Sequence, residues 1–162
     1  MIHLIVGNTG SGKTTYANNL KKEIGGVVFS IDQWNNILFI PDKNEDDGLQ
    51  WFLERIERSE SLIMKLILQL ESEGIDTILD LGLSKFEHRE KFRDFAKKNS
   101  LEIQVHFLDI SKEIRLSRIF KRNEEKGETF EFKVTRENFD FMENWFEKPT
   151  ETELKKGIRI YK

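Results

Sequence analysis

The chain has 162 residues, no cysteine, and three histidines (His3, His88, His106) without ligand spacing, so disulfides and thiolate metal sites are excluded and a transition-metal centre is not expected. Its formal net charge of −3 gives no general attraction for a nucleic-acid backbone. The apolar runs are too short to span a bilayer, and residues 1–7 carry neither a basic region nor a cleavage site; no membrane partner is expected, and the expected compartment is the cytoplasm, where ATP is available.

No repeat or low-complexity linker divides the chain, so residues 1–162 are expected to form one domain. Leu4-Ile5-Val6 is a short apolar run ended by Gly7 and reads as a buried parallel strand. A helix is predicted over 13–24, stopped by Gly25-Gly26. Val27 to Ile31 is a second strand, and the acidic stretch from Asp42 to Gly48 a loop. From Trp51 to Glu73 the apolar residues Phe52, Ile56, Ile63, Leu66, Ile67 and Leu70 recur at helical spacing. A third strand follows at 77–82, a charged helix at 85–98 and a fourth strand at 103–109. Ser111 is a candidate N-cap for a helix over 111–125; another helix is predicted over 136–146, and a last strand over 157–161. Strands alternating with helices give an α/β fold, a mostly parallel sheet covered on both faces. Ligands of such sheets sit beyond the C-terminal strand ends, which draws attention to Gly7, Asp32, Asp80 and Asp109.

Gly7-Asn8-Thr9-Gly10-Ser11-Gly12-Lys13-Thr14 fits G-x-x-x-x-G-K-[ST], with a strand before it and a helix after. Glycines let the backbone curl so that successive N–H groups face one anion, and the helix adds its positive end. Lys13 is then placed for the β- and γ-phosphates of ATP, and the Thr14 hydroxyl for Mg²⁺. A dinucleotide fingerprint does not fit, because no third glycine follows Gly12. Asp32 is positioned either to accept a proton from an acceptor hydroxyl or to hold a Mg²⁺-bound water, and Asp80 to hold Mg²⁺.

Arg115, Arg118 and Arg122 fall on one helical face. Arg118 and Arg122 are the candidates to clamp the γ-phosphate oxygens, while Arg115 and Thr15 are assigned to the nucleotide. Gly127 and its polar neighbours suggest a hinge, so a closing lid is expected at about 111–135. Arg55, Arg58 and Arg89 are secondary candidates for an anionic substrate, and Trp34 and Trp51 for an acceptor pocket. The favoured function is transfer of the γ-phosphoryl of MgATP to a hydroxyl of a small molecule. Two alternatives stand beside it. One is a nucleic-acid 5′-hydroxyl kinase, against which the charge argues. The other is a regulatory ATPase or switch without an acceptor, in which Gln33 or Glu87 would orient water.

The phosphate loop, Ser30-Ile31-Asp32, Asp80, the arginine helix Glu113 to Asn123 and Phe146-Glu147-Lys148-Pro149 resemble one family, the small AAA-type ATP-binding kinases of the P-loop group. That group is similar to zeta toxins, chloramphenicol phosphotransferase and the 5′-kinase domain of polynucleotide kinase. The resemblance covers nearly the whole chain, but only the phosphate loop is a sharp motif. It implies a three-layer P-loop NTPase fold, with a nucleotide-kinase-like sheet in the order 2-3-1-4-5. It also implies that Asp32 is the base, that Arg118 or Arg122 is a lid arginine, and that the segment after Pro149 lies near adenine. Family members differ in acceptor. The acidic loop Asp42-Lys43-Asn44-Glu45-Asp46-Asp47 departs from a typical member and argues against a polyanionic acceptor.

Overall fold

The structure, a computed structural model, describes residues 1–127 and 133–161. Five strands form one sheet: β1 (Ile2–Val6), β2 (Val27–Ser30), β3 (Thr77–Asp80), β4 (Ile103–Leu108) and β5 (Ile158–Ile160). They lie in the order β2-β3-β1-β4-β5, and every pairing is parallel. The fold class and strand order are those expected. Each parallel pairing demands a crossover, and the helices supply it: α1 (Lys13–Ile24), α2 (Ile31–Leu38), α3 (Leu49–Ser72), α4 (Phe86–Lys98), α5 (Lys112–Glu125), α6 (Arg136–Trp145) and α7 (Glu151–Leu154).

β1 is the central strand and is buried along its whole length. Its side chains alternate, so the two faces of the sheet receive different partners. Ile2, Leu4 and Val6 join Ile63 and Ile67 of α3 and Phe92 and Ala96 of α4 in the larger core. Ile5 joins Ala17 and Leu20 of α1, with Ile78 and Leu108, in the second. Fully burying one such side chain stabilises by about 1.5–3 kcal/mol. The second face also holds a polar chain. His3 Nδ1 and His106 Nε2 are 2.9 Å apart, and the Tyr16 hydroxyl lies 2.8 Å from His106 Nδ1. Burial, with the neighbouring His3, pushes the pKa of His106 down to about 4.

β2 stops at Ser30, which has an extended backbone and precedes α2 directly, so Ile31 and Asp32 are helical rather than the end of a strand. α3 begins two residues before the expected Trp51. α7 was not expected, although Thr150-x-x-Glu153 is a capping box: the Thr150 side chain accepts from Glu153 N while Glu153 accepts from Thr150 N at 2.8 Å. Glu153 is also why Arg89 is not a substrate residue. Arg89 is fully buried, donating from Nε to Glu153 at 2.6 Å and from Nη1 to the carbonyls of Leu83 at 3.2 Å and Glu147 at 2.9 Å. Its donors tie the chain's last segment to the sheet.

Candidate active site

The phosphate loop leaves β1 at Gly7 and enters α1 at Lys13. Gly10 and Gly12 have φ of 81° and 92°, the left-handed region that only glycine enters without strain. Gly10 has a further constraint, since a Cβ there would stand 2.6 Å from the Arg115 carbonyl. Lys13 Nζ donates to the Gly7 carbonyl at 3.0 Å. Burial lowers its pKa, while Asp80 and Asp32 act in the opposite direction.

A cleft of about 740 Å³ opens over this loop. Lys13, Thr14, Thr15, Asp32, Asp80, Arg118 and Arg122 all line it, although they come from four different elements. Thr14 Oγ1 donates to Asp80 Oδ2 at 2.7 Å, so a hydroxyl and a carboxylate converge at the mouth of the loop. Hard oxygen donors of this kind suit Mg²⁺. Asp32 reaches the cleft from the first turn of α2. Arg118 Nη1 donates to the Ser11 carbonyl at 3.1 Å, across the loop. Arg122 is half buried, and its Nε is buried with no hydrogen-bond partner among the described residues. Burial lowers the Arg122 pKa, and Asp32 partly offsets the effect. A buried, unsatisfied guanidinium N–H is costly alone and suits a site that receives an anion.

Arg115 and Asn8, both expected at the nucleotide, have side chains that bond within the protein. Arg115 forms two hydrogen bonds to Glu143 of α6, at 2.6 and 2.9 Å, and donates to the carbonyls of Ile110 at 3.0 Å and Thr9 at 3.1 Å. The Asn8 amide donates to the same Glu143, and its Oδ1 accepts from Thr9 N at 2.7 Å. Both residues line a second crevice of about 480 Å³ rather than the cleft. Together they brace the back of the phosphate loop against α6. The distinction was not readable from helical spacing, because i, i+3, i+7 neighbours share a face broad enough to meet two different partners.

The secondary candidates lie elsewhere. The Arg55 guanidinium sits 3.7 Å from the centre of the Trp51 ring, and Arg58 lies 3.7 Å from Glu54. Trp34 packs edge-on to Phe29 in the core. Gln33 and Glu87 are exposed and outside the cleft lining, and Asp109 is ion-paired with Lys148 at 3.1 Å. The expected lid includes 128–132, which lie outside the described residues. Sequence reading missed Gly82 and Ser84 after β3, and Asn138, Phe141 and Met142 of α6, all of which line the cleft. The i, i+3, i+4 spacing of the last three was visible, but nothing local says which surface that face meets.

Residues 2–149 match the model of a family described as AAA domain. The chain belongs to that family. No curated protein matches it. Among solved structures it is similar to Kti12 from Chaetomium thermophilum in complex with ADP-AlF3, with 15% identity over 99% of this chain and 89% of the other, at a TM-score of 0.73. It is similar to a putative kinase from Chloroflexus aurantiacus, with 12% identity over 99% and 86% of the two chains and a TM-score of 0.72. It is also similar to the APS kinase CysC of Mycobacterium tuberculosis in complex with AMPPNP and APS, with 17% identity, 99% and 87% coverage and a TM-score of 0.67. At these identities the likeness is one of fold, that of the P-loop kinases. No helix among the described residues is long and apolar enough to cross a membrane.

Proposed function

We propose that the chain, acting as one domain in the cytoplasm, transfers the γ-phosphoryl group of MgATP to a hydroxyl of a small molecule. The observation that carries this reading is the convergence of Lys13, Asp32, Arg118 and Arg122 on one cleft over the phosphate loop. Asp32 lies close enough to both Lys13 and Arg122 to oppose the burial that lowers their pKa values. A carboxylate among the cations that would hold the γ-phosphate supports a role toward an acceptor more than toward the nucleotide.

The backbone N–H groups of the loop and the N-terminus of α1 bind the phosphates, with Thr15 beside them. Thr14 and Asp80 would hold Mg²⁺, which when bound neutralises charge on the β- and γ-oxygens. Asp32 accepts the proton of the acceptor hydroxyl as its oxygen bonds to the γ-phosphorus. The bond from that phosphorus to the β,γ-bridging oxygen breaks, and ADP leaves. Lys13, Arg118 and Arg122 stabilise charge on the transferring group. α5 belongs to the segment that closes over it and excludes water.

ADP release from MgATP, measured against a panel of neutral and anionic hydroxyl compounds, tests the reading. One class of acceptor should raise the rate above the acceptor-free blank, and Asp32→Ala should remove the gain while ATP still binds. A slow release that no acceptor changes would transfer support to a nucleotide-dependent switch.

A further inference from the structure

The side of the cleft formed by α5 and α6 has its own composition. Asn138, Phe141 and Met142 present one face of α6 to it, Val134 and Ile119 add apolar wall, and Ser84 follows β3 on the other side. Phe141 is 60% exposed although it lines a cleft. It is also braced. Its ring stacks on Trp145 with centroids 5.7 Å apart and planes 20° from parallel, and Lys85 Nζ lies 4.2 Å from the centre of the Trp145 ring. Lys85 is in turn paired with Glu147 at 2.9 Å. A cation and a phenyl ring thus both pack on the Trp145 indole, and the phenyl ring borders the cleft. An exposed aromatic held in this way is a platform for another ring.

Charge narrows the ligand. Among the described residues four cationic side chains (Lys13, Arg118, Lys121, Arg122) and three carboxylates (Asp32, Asp80, Glu125) line the cleft. The phosphates of a nucleotide outweigh that small cationic excess, so no cation remains in surplus for an anionic acceptor.

We infer that Phe141 is the ring platform of an acceptor subsite, and that the acceptor is an uncharged alcohol carrying an aromatic or heteroaromatic ring, stacked on Phe141 with its hydroxyl at Asp32. This inference rests on the phosphotransferase reading for its hydroxyl but not for its ring. Asn138, whose Oδ1 accepts from the Thr135 hydroxyl at 2.8 Å within the α6 cap, is held on the same face as a neutral polar group.

The test uses the full chain with Mg²⁺ and AMPPNP, and equilibrium dialysis of three probes: 4-nitrophenyl β-glucoside, glucose and glucose 6-phosphate. The nitrophenyl glucoside should bind at least about tenfold tighter than either of the others, the scale of one stacked ring. Phe141→Leu, which keeps the apolar bulk, should remove that advantage, and Phe141→Tyr should restore it. AMPPNP binding by each variant reports that it is folded. Equal binding of the three probes, a preference for glucose 6-phosphate, or a preference that ignores Phe141→Leu overturns the inference. Transfer from ATP, followed in parallel, separates the two readings. Phe141-dependent binding without transfer keeps the ring site and removes the kinase. Transfer to glucose with no ring advantage keeps the kinase and removes the ring site.

Discussion

The phosphate-loop wall of the cleft grows from β1 and α1, which are set into both main cores of the sheet, whereas the facing wall of α5 and α6 rests on a cluster of Ile119, Val134 and Phe139. The first wall is contiguous in sequence and drawn mainly from residues 7–15. The second draws on residues between Arg118 and Met142 and is joined to the first through Arg115, Asn8 and Glu143. On the proposed phosphotransferase reading, nucleotide binding belongs to the deeply packed side, and the groups expected to approach and withdraw stand on the side with the smaller core, the arrangement a closing segment would use.

The sharpest way to break this division is to remove one functional group from each wall. Lys13→Ala should lower ATP turnover by about 10²–10³-fold and weaken nucleotide binding with it, the usual cost of deleting a donor to a transferring group. Arg122→Ala should lower turnover on a similar scale and leave nucleotide binding much less affected, because the residue lines the cleft from α5 and its Nε bonds to no part of the loop. Steady-state rates and a fluorescent-ADP titration on both variants check the contrast. Equal loss of binding in the two would mean that the walls do not divide the work.

The brace between the walls is next in size. Arg115→Met leaves Glu143 without its guanidinium partner, and the Arg115 side chain is only 7% exposed. Breaking such a pair from one side costs about 3–5 kcal/mol when fully buried, and the partly accessible Glu143 places the expectation near about 3 kcal/mol. Urea unfolding measures it. A loss below about 1 kcal/mol would show that the brace is a surface ion pair.

What could be read from the sequence follows the same division. The phosphate loop was legible because its chemistry needs fixed spacing within one turn of chain, and the strand order followed from a resemblance that rests chiefly on it. Arg118 and Arg122 were legible as a face. That Arg115 turns backward to the Thr9 carbonyl was not, because this depends on Glu143 lying 28 residues away. Arg89 was misread for a related reason: its partner Glu153 is 64 residues distant and sits in a helix of one turn. The helical start of Asp32 was obscured because Ser30 both ends β2 and holds the residue position just before α2. Phe141 was missed because an amphipathic pattern tells which residues share a face and not what the face meets.

Acid should strain the sheet side through His106. The pKa of its ring is about 4 in the folded chain against an ordinary value of 6.5, so the unfolded chain binds the proton more readily. Stability is therefore complete above about pH 6.5, falls as the pH drops toward 4, and falls no further from this group below that. The whole displacement is equivalent to about 3 kcal/mol at most. Unfolding midpoints at about pH 7.5, above that window, and at about pH 4.5, near its lower end, should differ less in His106→Gln than in the unaltered chain. An unchanged difference would assign the acid sensitivity to other groups.

The smallest effect probes how independent the α6 wall is. Thr135 accepts from Asn138 N at 3.2 Å and Asn138 accepts from Thr135 N at 3.4 Å, a reciprocal cap at the start of the helix that carries Phe141. Thr135→Ala should cost about 1 kcal/mol. Where that loss appears matters more than its size. If α6 opens by itself, hydrogen exchange accelerates in its first turn while the amides of Ile2 to Val6 keep their protection. If the wall is cooperative with the sheet, both sets accelerate together and the thermal midpoint falls. The first outcome fits a wall that moves against a fixed phosphate loop. The second would mean that the link from Thr9 through Arg115 of α5 to Glu143 of α6 makes one body of the two walls, and that α6 does not open against the phosphate loop by itself.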